Sequence, residues 1–108
     1  MPQIKIRGIE TTKVCTISKS MIDQLEKIIG CPRSYFTIEC ISSIFIKDGD
    51  ICEGYPLIEV VWFDRGQEIK DKVAKTINSF IHQCGYESVD IFFTVLKENS
   101  YYENGEHF

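Results

Sequence analysis

The feature that most constrains this chain is a pattern that occurs twice. In Glu53-Gly54-Tyr55-Pro56-Leu57-Ile58-Glu59-Val60-Val61-Trp62-Phe63-Asp64-Arg65-Gly66-Gln67-Glu68, a proline opens an apolar run that leads into a polar helix start. The run from Leu57 to Phe63 is rich in β-branched and aromatic residues and broken only by Glu59, so it reads as a largely buried central strand. Pro56 can open that strand because a first residue need not donate to the ladder. Asp64, with Gln67 three residues on, has the form of a helix cap. Met1-Pro2-Gln3-Ile4-Lys5-Ile6-Arg7-Gly8-Ile9-Glu10 repeats the plan 54 residues earlier: Pro2 matches Pro56, Ile4 matches Ile58, Ile6 matches Val60, and Glu10 matches Asp64. Such a repeat predicts two β-α-β halves, about 1–52 and 53–108, within one domain.

The rest of the chain fits that plan. Ile4 and Ile6 alternate with Lys5 and Arg7, a short strand with one apolar face. Thr11 or Thr12 is placed to cap a helix whose stripe is Val14, Ile17, Met21, Leu25 and Ile28. Gly30 and Pro32 stop it. Phe36, Ile38 and Cys40 alternate in a second strand that runs on to Lys47, and Asp48-Gly49 signals a tight hairpin with Asp50 to Cys52 as its return arm. Ile69, Val73, Ile77 and Phe80 mark the second helix, which Gly85 ends, and Val89 to Leu96 is the last strand. Residues 97–108 are polar and aromatic without clear periodicity. The expected fold class is therefore α+β: βαββαβ, a four-stranded sheet with two helices on one face. The other face must be covered, and strands this apolar point to another subunit in a symmetric oligomer.

Charge and composition exclude several functions. The 108 residues carry a formal net charge of -4 and only three arginines, all scattered, so the basic face of a nucleic-acid binder is missing. No apolar run approaches the roughly 20 residues of a membrane span. Lys5 and Arg7 interrupt anything resembling a signal peptide. The five cysteines are odd in number and form no C-x-x-C. They read as small buried hydrophobes in a reducing, cytoplasmic setting, and with two distant histidines they call for no metal or cofactor.

The order β-α-β, arm, β-α-β belongs to the ferredoxin-like fold and to the tautomerase fold. Three segments carry a resemblance to the second: Gly30-Cys31-Pro32-Arg33-Ser34-Tyr35, Trp62-Phe63-Asp64-Arg65-Gly66-Gln67-Glu68, and Tyr101-Tyr102-Glu103-Asn104-Gly105-Glu106-His107-Phe108. With the paired prolines, the chain resembles the tautomerase and macrophage migration inhibitory factor superfamily over its whole length. It is most similar to an uncharacterised bacterial domain-of-unknown-function branch. The resemblance implies a trimer in which the initiating Met is removed and Pro2 becomes the N-terminus, its secondary amine serving as base or acid on a small keto or enol acid. Cys31 departs from the lysine that the inhibitory factor carries at the matching turn.

The chemistry has its own physical logic. An α-amino group titrates at about 7.7–8.0, and burial or a neighbouring cation lowers that value, leaving a free base near neutral pH. An enolate formed by proton removal then needs a cation or N–H donors on its oxygen. Antiparallel packing of the halves brings Pro2, Cys31, Arg33, Asp64 and Arg65 to one sheet edge, while Arg7 falls at the other. Arg65, with Arg33, is placed to bind a substrate carboxylate. Tyr101, Tyr102, Asn104 and His107 leave from the same edge, to line a pocket or to clamp a neighbouring subunit. Opposed to these roles stand plainer ones: Asp64 as a helix cap, Trp62 as core, Cys31 as an inert thiol, and Pro2 as a strand opener whose nitrogen is a non-basic amide while Met1 remains. On that plainer reading the chain is a non-catalytic oligomeric module that binds a small anionic ligand or a protein partner.

Overall fold

The computed structural model describes residues 1–108. In chain order it forms β1 (Gln3–Arg7), α1 (Thr11–Ile29), β2 (Thr37–Ile41), β3 (Phe45–Lys47), β4 (Asp50–Cys52), β5 (Leu57–Phe63), α2 (Gln67–Gln83), β6 (Asp90–Leu96), β7 (Tyr102–Glu103) and β8 (Glu106–His107). The main sheet has the order β2-β1-β5-β6. Each half contributes a parallel pair, β1 with β2 and β5 with β6, and the halves meet through the antiparallel pair β1–β5. Gln3 lies opposite both Thr37 and Val61, and Phe63 opposite Leu96. The starts of β1 and β2 and the ends of β5 and β6 therefore share one edge.

The core lies between the sheet and the two helices. Ile4, Ile6, Ile58, Val60 and Trp62 occupy alternate strand positions, so all face one way. Val14, Ile17, Met21 and Leu25 of α1, and Val73, Ile77, Phe80 and Ile81 of α2, close over them in a single buried cluster. Both helical stripes are those that the 3.6-residue spacing predicts. Gly30 ends α1 in the left-handed conformation, φ 78°, and its N–H reaches the carbonyl of Glu26 at 2.8 Å. No helix is long and apolar enough to cross a membrane.

The helix starts differ from expectation. Glu10, not Thr11 or Thr12, holds the N-cap position of α1, because both threonines already lie within the helix. At α2 the N-cap is Gly66, and Asp64 accepts the N–H of Gly66 at 3.0 Å, two residues too early to cap the helix. The Gln67 amide reaches forward to Asp71 at 2.7 Å, so no capping box forms. The second strand also stops sooner: β2 ends at Ile41, and β3 pairs with β4 as a separate two-stranded arm. Its Asp48-Gly49 turn has φ of 51° and 85°, the pattern the dipeptide predicts.

The sheet face away from the helices has no second layer in the single chain. On it Lys5 stands between Glu39 on one neighbouring strand and Glu59 on the other. Thr94 donates to Glu59 at 2.6 Å, so one of these carboxylates has a partner within the sheet. The arm is apolar and uncovered: Ile44, Ile46 and Ile51 are 75%, 70% and 77% exposed.

Candidate functional site

Pro2 sits at the shared edge, its side chain fully buried, and its carbonyl accepts the N–H of Thr37 at 3.2 Å. The position is held because β1 runs between β2 and β5, so the first residue before it is packed from both sides. Arg65 arrives from the end of β5. Its guanidinium donates to the Phe63 carbonyl at 2.7 Å and the Met1 carbonyl at 3.5 Å, and lies 5.6 Å from the centre of the Trp62 ring. The local bond and the aromatic face fix the arginine fork beside the start of the chain. Trp62 itself is fully buried, and its indole N–H has no partner.

The α-amino group of Met1 is pushed below its ordinary value of 8.0. Burial is the main cause, and the Arg65 guanidinium acts in the same direction, while Cys31 and Glu103 oppose it. Arg65 contacts Met1 directly, and Glu103 lines the same cavity as Met1. Cys31 follows the Gly30 stop of α1 and is a half-buried free thiol. Asp64 is spent on the Gly66 N–H.

Arg33 goes elsewhere. It is paired with Asp23 and donates to the Lys19 carbonyl at 3.2 Å, both on α1. It lines a shallow groove with Ser18, Lys19 and Phe36 instead of joining Arg65.

The tail folds back as a hairpin, β7–β8, turned by Asn104-Gly105 with φ of 53° and 87°. Phe63, Tyr101 and Phe108 form an aromatic triangle with ring centres 5.0–5.7 Å apart. The N–H of Phe108 closes it by donating to the Tyr101 carbonyl at 3.1 Å. Beneath this hairpin is a cavity of about 370 Å³ walled by Met1, Tyr35, Tyr101, Tyr102, Glu103 and Phe108. Asn104 and His107 build the hairpin and do not line the cavity: Asn104 makes the turn, and the His107 ring packs edge-on against Tyr102 at 5.8 Å. Glu103, Phe108 and Tyr35 were not assigned a pocket role from sequence. The Asn-Gly dipeptide was the signal that would have folded the tail and delivered the first two. No group of three or more His, Cys, Asp or Glu side chains could hold a metal ion.

The site therefore offers a buried position for an N-terminal nitrogen, one oriented cation, one carboxylate and an aromatic wall. That set suits a small molecule with an anionic end and an apolar body.

No curated protein matches the chain. A domain of unknown function (DUF1904) from Sebaldella termitidis has 40% sequence identity and a TM-score of 0.93, covering 100% of each chain. A macrophage migration inhibitory factor-like protein from Entamoeba histolytica has 18% identity and a TM-score of 0.76, covering 99% of this chain and 98% of its own. A fused 4-OT solved as a symmetric trimer has 16% identity and a TM-score of 0.78, covering 98% and 95%. The last two share the fold alone, which is the tautomerase arrangement and not the ferredoxin-like one. The family model of DUF1904 spans residues 1–107, and the chain belongs to that domain-of-unknown-function family.

Proposed function

We propose that this protein is a homotrimeric tautomerase-like enzyme that moves a proton on a small keto or enol acid, with Pro2 as its base once Met1 is removed. The observation that carries the reading is the environment of the N-terminal nitrogen. Burial and Arg65 both lower the affinity of the Met1 amine for a proton. On this reading, a proline amine freed one residue further in, at a fully buried position, would come under the same two influences. It is then available as a free base near neutral pH. Arg65 pairs with the substrate carboxylate, and the hairpin wall keeps water from the enolate. The exposed isoleucines of the arm and the uncovered sheet face support self-association.

The test uses protein whose intact mass lacks one methionine. Turnover of simple keto-enol acids is expected, with a loss of about a hundredfold or more in Pro2→Ala and a raised KM in Arg65→Gln. An unchanged rate in Pro2→Ala sinks the mechanism. A second reading, a non-catalytic module that binds a small anionic ligand, is favoured by one observation: the hairpin walls the cavity with aromatic rings. Ligand binding without turnover supports that reading.

A further inference from the structure

Before Pro2 can carry a free amine, the Met1–Pro2 peptide bond has to be cut, and the folded chain holds that bond on both sides. Pro2 is fully buried, although Met1 is only half-buried. The Pro2 carbonyl accepts the N–H of Thr37 at 3.2 Å, which ties the residue after the bond to β2. Gln3 then stands opposite both Thr37 and Val61, so the main chain is paired in two directions from the third residue on. Before the bond, the Met1 carbonyl accepts from Arg65 at 3.5 Å. Chain ends are ordinarily the loosest part of a domain, whereas this one leads straight into an interior strand of the sheet.

We propose that folding closes off the removal of Met1: a methionine aminopeptidase cuts the bond before β1 docks between β2 and β5, and a chain that folds with Met1 in place keeps it.

An aminopeptidase has to draw the first residues of its substrate, extended, into its own cleft. Here that requires lifting the Pro2 ring out of its packing and breaking the Pro2–Thr37 hydrogen bond. Cutting of a folded chain then proceeds only from a transiently opened state and follows the population of that state. The reaction is a hydrolysis. Water adds to the Met1 carbonyl carbon, the bond to the Pro2 nitrogen breaks, methionine leaves, and the nitrogen takes up the proton that makes it a secondary amine. Synthesis leaves time for this. Val61, the partner of Gln3 in β5, emerges only after more than half of the chain has been made, a delay on the order of seconds at roughly 5–20 residues per second. Two populations are thus fixed at synthesis. In one, Pro2 begins the chain with an amine. In the other, its nitrogen is an amide, Arg65 stays engaged with the Met1 carbonyl, and Met1 forms part of the cavity wall. That the second population is inactive rests on the proposed role of Pro2; the order of cutting and folding does not.

The test starts from folded, full-length protein expressed with the host peptidase inhibited, so that Met1 is retained. It is mixed with a synthetic peptide of residues 1–12, which has the same cut site but neither Thr37 nor Val61, and a methionine aminopeptidase is added. Intact masses follow the loss of methionine from both. The peptide is expected to lose it, and the folded protein to do so about a hundredfold or more slowly. Low urea should raise the rate for the protein relative to the peptide, in step with hydrogen exchange at the Thr37 amide, whose acceptor is Pro2. Equal rates for the two substrates overturn the proposal. So does faster Thr37 exchange in urea with no gain in relative cutting. Slow cutting, joined to an absence of turnover by Met-free protein, upholds this inference and sinks the enzyme reading. Fast cutting of the folded chain with Pro2-dependent turnover does the reverse.

Discussion

The guanidinium of Arg65 reaches the carbonyl oxygen of Met1 across 64 residues of sequence, at 3.5 Å. It does so from a side chain already anchored on the Phe63 carbonyl and set over Trp62. The contact joins the first residue of the first half to the strand-helix junction of the second. The internal repeat makes this meeting possible, because antiparallel packing of the halves brings the start of β1 to the end of β5.

Burial, with this arginine acting in the same direction, lowers the titration of the N-terminus. With Met1 in place, the amine is expected to titrate below 8.0, mainly through burial and then through Arg65. Arg65→Gln should raise its pKa, and Glu103→Gln should lower it further, because the two charges act in opposite directions. The stability consequence follows in sign. The folded chain gives up this proton at lower pH than the unfolded chain does. The contribution is complete above the unfolded value and is lost as pH falls through the folded one. NMR titration of the labelled amine in the three proteins checks the order, and the reverse order for the two variants refutes this account of the site.

Gly8 sets the other end of β1. Its φ is +78°, and a Cβ built there would lie 1.9 Å from the Tyr55 carbonyl oxygen. Gly8→Ala therefore meets backbone that cannot move aside without breaking the approach to Pro56 and β5. A loss of about 3 kcal/mol is expected, which in a domain of this size is a fall in Tm on the order of 10–20 °C. Thermal unfolding measures it; a shift of only a degree or two means that the loop before β5 yields freely.

Much of this fold was legible because its signals are local and repeated. Alternation in Ile4–Arg7 and the 3.6-residue stripes of both helices lead to the same buried residues that the structure shows. The proline pair and the topology suffice to put Pro2 and Arg65 at one edge. Arg33 was misplaced for a physical reason: its partner, Asp23, lies on the exposed face of α1, where a carboxylate reads as merely solvated. Proximity in sequence to Cys31 says nothing about that competition. Asp64 was read as a helix cap because the residue type fits, but Gly66, at φ 89°, takes the cap position and leaves Asp64 to hold the turn. The tail hid its hairpin because two-residue strands are too short to show alternation, which left Asn104-Gly105 as its one clear mark.

That hairpin is held by few contacts and should open independently of the domain. Removing the Phe108 ring deletes two of the three aromatic pairs at Phe63 and Tyr101, each pair worth about 0.5–1.5 kcal/mol. In Phe108→Ala, amide exchange within residues 102–107 should speed up roughly tenfold or more. Exchange in β1 and β5 should stay as it was. Equal acceleration in the central strands would mean that the tail is part of the global folding unit.

The arm offers the sharpest test of assembly. Ile46 and Ile51 face each other across β3–β4 and are both largely exposed, an apolar pair with nothing over it in the single chain. Replacing them with Ile46→Lys and Ile51→Glu keeps a favourable cross-strand pair, so the hairpin itself should persist. Its outward surface, however, becomes charged, and docking it against a second copy would require stripping water from two ions. The helices and the buried cluster are untouched by the change. Native mass spectrometry is expected to give three times 12.5 kDa for the unaltered protein and 12.5 kDa for the double variant. The helical circular dichroism signal should be retained, and melting should shift to lower temperature because the oligomer no longer stabilises the fold. A trimer that survives both charges would remove the arm from the interface and leave the uncovered sheet face, with Lys5 between Glu39 and Glu59, as the surface that holds the copies together.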